Sequence, residues 1–505
     1  LCKKEFPRER TYRLDAIAKK VTGEGKEDLS YQQQRECYLR GDAESVNRIL
    51  KYVDQDAWLC ILIMEKRSIM EKILALARAT HTAPESIPGR GQQHMVYNKL
   101  WQFSKRNGNR VMNPTQRDQI KNFEGGAVCE PVKGYHDTMP VEVAAKKHPE
   151  LSALLPLFAL IYAVTHTWDF MSLYPSIMRT FWICPSNFKV GSKEYQNIAA
   201  KVAAGDPPDW KEFLACFAQN EDCVVPALLE ELHDLRKKYK KEMKAAMLLA
   251  QKAERELREA PRVEAGAGDK RSRISEEGLP ESKRPHTEEA AGLDDKRSRI
   301  SEEGLPESKR PHTEEAASLE EAIREHRMQE DAMDAAQKAV KIVMNSLFGA
   351  LGVPREKAMY AEACASATIT CAGRTIIGFT SEQAEMDRVF VLDLPSLGRK
   401  TIRVRGSWED FVKDCIEYPE VSLPLPAGGR AVTHAALAWG QDVVLHSKVV
   451  YGDTDSVMPR LSSVVELTPE DHEALGEYFC KEITDYLSEL CKSMGYTKPI
   501  LILEA

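Results

Sequence analysis

The sequence predicts a mixed α/β fold, because it combines long helical patterns with a strand–turn–strand pattern near its C-terminal end. Apolar residues recur at i, i+3 and i+4 through residues 44–80 and again through Val224–Met243, which is the spacing of an amphipathic helix. Val449–Tyr451 and Val457–Met458 have strand character, and the turn residues Gly452–Asp455 separate them. The last three segments predict an antiparallel hairpin.

Composition and charge restrict the class of protein. The 505 residues suffice for roughly three or four domains, and the net charge of −7 means that any nucleic-acid contact must be a local patch on an acidic background. The 12 cysteines are scattered without a CxxC pair, which indicates reduced thiols in an intracellular protein and no zinc site. The longest apolar run, Leu154–Val164, is too short to cross a bilayer, which takes about 20 residues. No secretory signal is visible, so we expect no membrane partner.

The predicted hairpin carries two carboxylates at its tip. Asp453 and Asp455 are two residues apart, so in extended backbone their side chains would project to the same side. A third carboxylate, Asp169, lies at the end of an earlier strand-like segment that leads into a turn closed by Pro175. Carboxylate oxygens together with substrate phosphates are the ligands that Mg²⁺ prefers. For such a pair in isolation, the alternative is a solvated acidic turn without a function.

A helical segment from Lys338 to Gly349 carries further candidate functional side chains. Lys341, Asn345 and Phe348 recur at i, i+4 and i+7, so they share one face over about two turns. The helix predicted at Val224–Met243 has an apolar stripe, and basic side chains crowd its other sides. The stripe consists of Leu228, Leu229, Leu232, Leu235 and Tyr239, and the basic residues are Arg236, Lys237, Lys238, Lys240, Lys241 and Lys244.

Three segments, in this order, resemble the three polymerase motifs of family B DNA polymerases. The segments are Asp169–Ile177, Lys341–Gly349 and Tyr451–Val457, and the family patterns are D-x-x-S-L-Y-P-S, K-x-x-x-N-S-x-Y-G and Y-G-D-T-D-S. The likeness is closest to the delta and herpesvirus branches. It implies a right-hand polymerase with an antiparallel palm sheet, helical fingers and the C-terminal remnant of an RNase H-like 3′–5′ exonuclease domain.

The resemblance implies an activity and its cofactor. The activity is template-directed transfer of a nucleotide from a deoxynucleoside triphosphate to a primer 3′-hydroxyl, by two-metal-ion catalysis in DNA replication. The implied cofactor is a pair of Mg²⁺ ions, for which Mn²⁺ can substitute. Asp169 and Asp455 would bridge both ions, and Asp453 would be an outer or part-time ligand. Phe170 would offer its backbone carbonyl.

The same resemblance implies the residues that bind the incoming nucleotide. Arg236 and Lys341 would hold the triphosphate, and Asn345 would line the pocket. Tyr174 would stack beneath the sugar and exclude a 2′-hydroxyl. The full implied set is Arg236, Lys341, Asn345, Tyr174, Ser172 and Leu173. One position departs from the family, because the tyrosine of the second motif is Phe348 here, which keeps the ring but loses the phenolic donor.

Two shorter signatures precede the polymerase motifs. Tyr52 and Asp56 are four residues apart on a predicted helix and resemble the Y-x-x-x-D motif of the family's exonuclease; an ordinary helix surface is the alternative. The loop Phe123–Gly126 resembles the family's Y-x-G-G, whose glycine pair lets the backbone approach the template strand. Gly125 and Gly126 are therefore the predicted DNA-binding residues.

The resemblance divides the chain into four parts. Residues 1–85 would be a partial exonuclease domain, 86–222 the linker and N-terminal palm, 223–349 the fingers, and 350–505 the C-terminal palm. The chain starts at a leucine and stops within a strand-like run. We expect both ends to be cuts through a longer protein, so that the thumb and the upstream exonuclease carboxylates are absent from this chain.

Three stretches interrupt the family pattern. Residues 138–167 contain a strongly apolar run and are expected to be an insertion that packs locally, with an unspliced segment as the alternative. Residues 388–445 are longer than the family needs. Residues 260–317 contain the repeat Asp269–Ala290, which recurs at Asp295–Ala316. Each copy is too polar to bury a core, so we expect a disordered loop between two finger helices.

Two other functions remain open from the sequence. The chain could be an inactive polymerase-like fragment with a structural role, or a metal-dependent nuclease, because carboxylate pairs also support phosphodiester cleavage. A nuclease has no need of Tyr174 or of a triphosphate clamp. The implied partners are primer–template DNA, deoxynucleoside triphosphates and a processivity factor. We expect an intracellular protein that acts in the nucleus, or in the host nucleus if it is viral, an origin that the herpesvirus likeness favours.

Overall fold

The computed structural model describes most of the chain. The described residues are 10–23, 25, 29–108, 123–133, 136–155, 158–189, 191–219, 223–259, 314–353, 361–416 and 442–505. Of the expected disordered loop at 260–317, residues 260–313 lie outside the described residues. The expectation is wrong at the end of that range, because a helix begins at Glu314. Residues 417–441, within the long segment 388–445, lie outside them as well.

The described elements alternate between helical and mixed regions. The N-terminal helices are α1 (Leu14–Thr22), α2 (Tyr31–Arg40), α3 (Ala43–Lys66), α4 (Ile69–Thr80), α5 (Ser86–Gly89) and α6 (Gln92–Arg106). A mixed region follows, with β1 (Met139–Pro140), α7 (Val141–Ala145), a 3₁₀ turn (Pro149–Leu154), β2 (Leu160–Thr165), β3 (Trp168–Phe170), α8 (Leu173–Thr180), a second 3₁₀ turn (Pro185–Asn187), α9 (Lys193–Ala204) and α10 (Trp210–Ala215). Three long helices come next: α11 (Val224–Glu259), α12 (Glu314–Leu351) and α13 (Ala363–Glu385). The C-terminal region contains β4 (Arg388–Leu394), β5 (Gly398–Arg405), α14 (Trp408–Ile416), β6 (Asp442–Asp453), β7 (Ser456–Ser463), α15 (Pro469–Ser493) and β8 (Leu503–Glu504). None of these described helices is long and apolar enough to cross a membrane.

The described strands form one sheet. Its order is β1-β2-β7-β6-β5-β4, and β3 pairs with both β7 and β8. Every pair is antiparallel except β5 with β6. The expectation of an antiparallel sheet is therefore wrong at this one pair. The physical reason is the connection, because the segment that contains α14 crosses back over the sheet and β6 starts at the same end of the sheet as β5.

The segment 138–167 belongs to this sheet and its core. Strand β2 pairs with β7 from Tyr162 opposite Ser463 to Thr165 opposite Arg460. Apolar side chains of α7, the first 3₁₀ turn and β2 form a single core with α14 and β6. Its buried members are Val141, Ala144, Leu151, Leu154, Ile161, Phe411, Val412, Cys415, Val444 and Val464. The expectation of local packing is wrong, because the apolar run is buried against elements that are distant in sequence.

The helical structure predicted for residues 44–80 is confirmed, but it consists of two helices, α3 and α4. They are separated at Ser68, whose φ of 47° is left-handed. Leu59 and Ile63 of α3 are buried in a helical cluster with α1 and α4. By contrast, Leu50 and Val53 of the periodic stripe are 60% and 55% exposed. Periodicity therefore located the helix but not the face that it buries.

Helix α11 confirms and extends the amphipathic helix predicted from the sequence. Its apolar residues Leu228, Leu229 and Leu232 are completely buried. On α8, Nε of Arg179 donates to Oε2 of Glu230 at 3.0 Å. On α6, Nζ of Lys99 lies 3.6 Å from Oε1 of Glu231. Because Arg179 and Lys99 are both buried, these ion pairs compensate charges that would otherwise be costly, and they fix α11 against α6 and α8.

Helices α13 and α15 pack against the sheet. Trp168 of β3 stacks on Phe479 of α15, with ring centroids 5.3 Å apart. The buried hydroxyl of Ser447 on β6 donates to the carbonyl of Ala384 on α13 at 2.7 Å. Both helices therefore contact the strands that carry the predicted site residues.

The chain divides into two compact units. One contains Leu1–Lys238 and Ala335–Ala505, and the other is Tyr239–Asp334. Within the second unit, Nη2 of Arg327 on α12 donates to Oε1 of Glu254 on α11 at 2.8 Å. The buried side chains of α11 in this unit are alanines, Ala246, Ala250 and Ala253. The predicted site residues all lie in the first unit.

The buried packing of the segment 138–167 gives a stability prediction. We expect Leu154→Ala to lower the free energy of unfolding by about 2–5 kcal/mol, because it removes a completely buried side chain from a core. Leu155→Ala is the matched control, since its side chain is 43% exposed, and it should cost less than about 1 kcal/mol. Urea denaturation of both variants measures the difference. Equal small losses would contradict the placement of this segment in the core.

Candidate active site

Strand β3 is held between two other strands and presents one carboxylate. Asp169 is opposite Ser456 of β7 on one side and opposite Glu504 of β8 on the other. The backbone N–H of Phe170 donates to the carbonyl of Asp455 at 2.8 Å. Because side chains alternate along a strand, Trp168 and Phe170 are buried and Asp169 between them is exposed. Asp169 therefore lies beside the tip of the β6–β7 hairpin.

The predicted hairpin is confirmed, but only Asp453, at the end of β6, is in extended backbone, whereas Asp455 lies in the turn. Asp453 pairs with Ser456 at the end of the ladder, and Thr454 and Asp455 form the turn. Thr454 has a left-handed φ of 36°, and the N–H of Asp455 bonds back to the carbonyl of Asp453. The expectation of extended geometry is wrong, because the chain reverses between the two residues. Asp455 is the one that is brought to β3.

The carboxyl groups of Asp169 and Asp455 interact electrostatically. Partial burial and then repulsion by Asp455 raise the pKa of Asp169, and Glu504 adds to this effect while Lys341 opposes it. Partial burial also raises the pKa of Asp455, with Asp453 adding to the effect and Lys341 again opposing it. The surrounding protein therefore disfavours ionisation of both carboxyl groups, which means that it supplies too little positive charge to balance two carboxylates.

This donor set fits a hard divalent cation. Mg²⁺ prefers carboxylate oxygens, and a cation would relieve the repulsion that raises the two pKa values. Within the part of the chain that the structure describes, no three His, Cys, Asp or Glu side chains are arranged to hold a metal ion by themselves. The pair therefore fits a site in which the protein supplies a few ligands and a phosphate-bearing substrate supplies others.

The first turn of α8 brings an aromatic ring to the carboxylates. Ser172, with a left-handed φ of 55°, precedes the helix, and Leu173 is buried at its first position. The ring of Tyr174 lies 4.3 Å from the ring of Phe348 on α12, centroid to centroid, at an angle of 44°. Burial and then the nearby charge of Asp455 raise the pKa of Tyr174. Tyr174 is therefore part of the same site.

The predicted phosphate-binding residues lie on two helices, Arg236 on α11 and Lys341 on α12, and both residues belong to the first unit. Nε of Arg236 donates to Oε1 of Gln337 at 3.4 Å, and Gln337 precedes Lys341 by one helical turn. Burial lowers the pKa of Arg236, and the charge of Glu504 opposes that shift. Lys341 and Asn345 are exposed on a shared face of α12. Lys341 therefore lies within electrostatic reach of Asp169 and Asp455, and Arg236 lies within reach of Glu504.

The two glycines of the loop Phe123–Gly126 have different surroundings. A β-carbon added to Gly126 would stand 2.6 Å from Oη of Tyr174 and 3.0 Å from Cγ2 of Thr454. A β-carbon added to the exposed Gly125 would meet no atom within 4 Å. The template contact stays a prediction for both residues. Gly126 has, in addition, a close protein neighbour that the sequence did not indicate.

Tyr52 and Asp56 are not brought to this site. They lie one turn apart on α3, and both are half-buried. That helix contributes Leu59 and Ile63 to the N-terminal helical cluster, which contains no residue of the sheet. The assignment of Tyr52 and Asp56 to an exonuclease remnant stays a prediction.

The sequence interpretation missed three neighbours of the site. Glu504 stands opposite Asp169, and no local pattern could have shown a pairing between strands so far apart in sequence. Gln337 could have been found from helical spacing, since it lies four residues before Lys341. Arg374 follows Gly373 within α13, and a glycine inside a helical pattern is a signal for a close approach.

The sequence matches a known family over more than half of its length. Residues 155–258 and 316–490 match the sequence profile of DNA polymerase family B. The chain belongs to DNA polymerase family B. The family B match begins at residue 155, inside the expected insertion 138–167, so the later part of that stretch is family sequence.

Relatives within family B cover part of the chain. The DNA polymerase delta catalytic subunit of Schizosaccharomyces pombe is 28% identical over 236 residues, which is 46% of this chain and 19% of the relative. The DNA polymerase delta catalytic subunit of Bos taurus is 28% identical over 241 residues, or 46% of this chain and 18% of the relative. The DNA polymerase catalytic subunit of Tupaiid herpesvirus 1 is 27% identical over 192 residues, or 35% and 14%. The aligned part of the chain thus spans about a fifth or less of these curated relatives.

The electrostatics of the carboxylate pair predict a stability effect. Because folding raises the pKa of Asp169 and of Asp455, ionising them at neutral pH destabilises the fold, and this penalty disappears as the pH falls toward their ordinary value of 3.8. We therefore expect Asp455→Asn to raise Tm at pH 7 in EDTA, with a gain that shrinks at acidic pH. Mg²⁺ should stabilise the wild-type chain by about 2.7 kcal/mol at 100 times its Kd, and the variant by less.

Asp393→Asn is the matched control, because it removes the same charge from an exposed position on β4. Differential scanning fluorimetry in EDTA and in Mg²⁺ measures all three proteins. An equal Mg²⁺ response in the wild-type chain and in Asp455→Asn would exclude Asp455 as a ligand.

Proposed function

We propose that the chain is the catalytic part of a DNA-directed DNA polymerase that acts in DNA replication. The observation that carries the proposal is the meeting of Asp169 and Asp455 across β3 and the hairpin, with Lys341 within electrostatic reach of both carboxylates. Arg236 is within electrostatic reach of Glu504, which is opposite Asp169 in the sheet. Family B membership and the delta and herpesvirus relatives support it. A nuclease needs the carboxylates but has no use for the two cations and the ring of Tyr174.

The finer architecture follows the right-hand arrangement of the family. We assign residues 86–222 to the linker and N-terminal palm and residues 350–505 to the C-terminal palm, which together contain the sheet with α13 and α15. Residues 223–349, with α11 and α12, are the fingers. Residues 1–85 belong to a 3′–5′ exonuclease domain and contain Tyr52 and Asp56. The support is the sequence resemblance, together with the position of the carboxylates on the sheet and of the basic residues on the two helices.

The carboxylates would hold the divalent cations. Asp169 and Asp455 would be the protein ligands, Phe170 would contribute its backbone carbonyl, and Asp453, at the end of β6, would be an outer ligand. When bound, two Mg²⁺ ions, or Mn²⁺ in their place, make the primer 3′-hydroxyl more acidic and neutralise charge on the leaving pyrophosphate. The raised pKa values of Asp169 and Asp455 support this assignment, since each carboxylate lacks sufficient positive charge from the protein itself.

The helices and the first turn of α8 bind the nucleotide. Arg236 offers a fork of donors to the triphosphate, and Gln337 orients it through Nε. Lys341 adds a second cation, and Asn345 lines the pocket. Ser172 and Leu173 present the N-terminal end of α8 to the phosphates, where backbone N–H groups favour anions.

The reaction joins the primer to the nucleotide with a balanced exchange of bonds. The primer 3′-oxygen loses its proton to solvent and attacks the α-phosphorus, forming the new phosphodiester bond. The bond from the α-phosphorus to the bridging oxygen breaks, and pyrophosphate leaves with that electron pair. Arg236 and Lys341 keep the triphosphate in line for this displacement, and Tyr174 lies beneath the sugar, where it excludes a 2′-hydroxyl.

The partners are those of a replicative enzyme. Primer–template DNA is contacted locally, because the chain is acidic overall, and Gly125 offers exposed backbone for the template strand. A processivity factor and action in the nucleus, the host nucleus for a viral enzyme, belong to the same proposal. The delta and herpesvirus relatives support these assignments.

Substitution of Asp455 tests the catalytic assignment. We expect Asp455→Asn to abolish single-nucleotide insertion while primer–template affinity stays nearly unchanged, because metal ligation serves the transition state whereas duplex affinity comes mainly from Lys and Arg on phosphates. Asp453→Asn, the outer carboxylate, should lose much less activity. Quench-flow insertion and fluorescence anisotropy measure the two quantities. Insertion by Asp455→Asn within tenfold of the wild-type rate would refute the assignment.

A further inference from the structure

The ring of Tyr174 is enclosed by two glycines from different elements. Gly373 lies inside α13, and a β-carbon there would stand 3.1 Å from Cε1 of Tyr174 and 3.7 Å from Cδ1 of Ile177. Gly126 lies in the loop before β1, and a β-carbon there would stand 2.6 Å from Oη of the same ring. Phe348 contacts the ring as well. No larger residue fits at either glycine without moving Tyr174 or the backbone.

Neither glycine is required by its own backbone conformation. Gly126 and Gly373 do not have positive φ angles. Within a helix, glycine is less stable than alanine, so Gly373 lowers the stability of α13 without a local benefit. The close approach of Tyr174 therefore provides the physical reason for glycine at both positions.

The loop that carries Gly126 is fixed in place from two sides. On α13, Nη1 of Arg374 donates to the carbonyls of Glu124 at 2.9 Å and Gly125 at 2.6 Å, and Thr370 donates to the Glu124 carbonyl at 2.8 Å. On the hairpin, the N–H of Thr454 donates to the carbonyl of Ala127 at 2.6 Å. Because the loop is held between α13 and the carboxylate hairpin, it cannot easily yield to a group placed at Gly126.

We propose that Gly126 and Gly373 are positioning residues that set the location of the Tyr174 ring and thereby the discrimination between deoxyribo- and ribonucleotides. This inference rests on the proposed polymerase function. The glycines do not touch the substrate. Because neither glycine has a side chain, the Tyr174 ring can occupy the space between them. The hydrogen bonds of Arg374 to the carbonyls of Glu124 and Gly125 hold the loop that carries Gly126 on one side of that space.

The test is a double-mutant cycle on the 505-residue chain. Gly126→Ala should lower the ratio of kcat/KM for a deoxyribonucleotide over its ribonucleotide by at least about fivefold, because the added methyl group displaces the Tyr174 hydroxyl. Tyr174→Phe removes that hydroxyl, so Gly126→Ala should change the ratio much less in the Tyr174→Phe background. Coupling of this kind is expected only between groups in contact.

Helix α13 supplies a matched control for the second glycine. Gly373→Ala and Gly378→Ala both place alanine in the same helix and gain the same intrinsic helix stability. A β-carbon at Gly378 meets no atom within 4 Å, whereas one at Gly373 meets Tyr174. Gly373→Ala should lower the selectivity ratio, and Gly378→Ala should leave it at the wild-type value. Equal ratios for these two variants, or additive effects of Gly126→Ala and Tyr174→Phe, would overturn the proposal.

The melting temperatures of the same variants separate this inference from the proposed function. Gly126→Ala should lower Tm, and the loss should be smaller in the Tyr174→Phe background. If no variant inserts nucleotides but this coupling in Tm is present, the polymerase function is refuted while the seating of Tyr174 by Gly126 stands. If nucleotides are inserted but Gly126→Ala and Tyr174→Phe are independent in both Tm and selectivity, the positioning role is refuted and the polymerase function stands.

Discussion

The backbone hydrogen bond from Phe170 to Asp455, together with the pairing of β3 to β7 and β8, determines the geometry of the whole site. It holds Asp169 beside the turn of the hairpin, so that two carboxylates from distant parts of the chain share one location. Partial burial raises the pKa of both carboxyl groups, and the nearby charge of Asp455 adds to the shift of Asp169. A rigid sheet is suited to this task, because strands fix side chains more closely than loops do.

The second constraint is the supply of positive charge from the helices. Lys341 lowers the pKa of both carboxyl groups, and Glu504 interacts with the half-buried guanidinium of Arg236. The buried ion pairs of Arg179 and Lys99 fix α11 against α8 and α6, so they also fix the helix that carries Arg236. A site with clustered carboxylates on the sheet and cations on the facing helices suits a substrate that brings both phosphates and metal ions.

Much of this organisation could be predicted from the sequence, and the failures have physical causes. The hairpin and the long helices follow from local periodicity, and the structure confirms them. Local pattern could not show that Thr454 adopts a left-handed φ, which separates Asp453 from Asp455. It also could not show that β2 joins the sheet, because that pairing is set by long-range burial.

The contacts around Tyr174 could not be predicted from the sequence for a related reason. The glycine pair of the Phe123–Gly126 loop predicts space for the template backbone, but a glycine pair alone does not reveal which group approaches it. In the fold, Gly126 faces Tyr174, and Gly373 faces the same ring from α13. The exposed periodic stripe of α3 shows the same limit, because helical spacing does not indicate which face will find a partner.

The central claim is that this arrangement transfers nucleotides onto a primer. The most direct measurement is primer extension by the purified 505-residue chain, with a labelled primer annealed to a template, Mg²⁺ and one complementary deoxynucleoside triphosphate at a time. The account predicts that the primer grows by one nucleotide only with the complementary triphosphate, and that chelation of Mg²⁺ stops the growth. Mg²⁺-dependent shortening of the primer without extension would instead indicate a nuclease, and no change in its length would indicate an inactive fragment; either result would contradict the account.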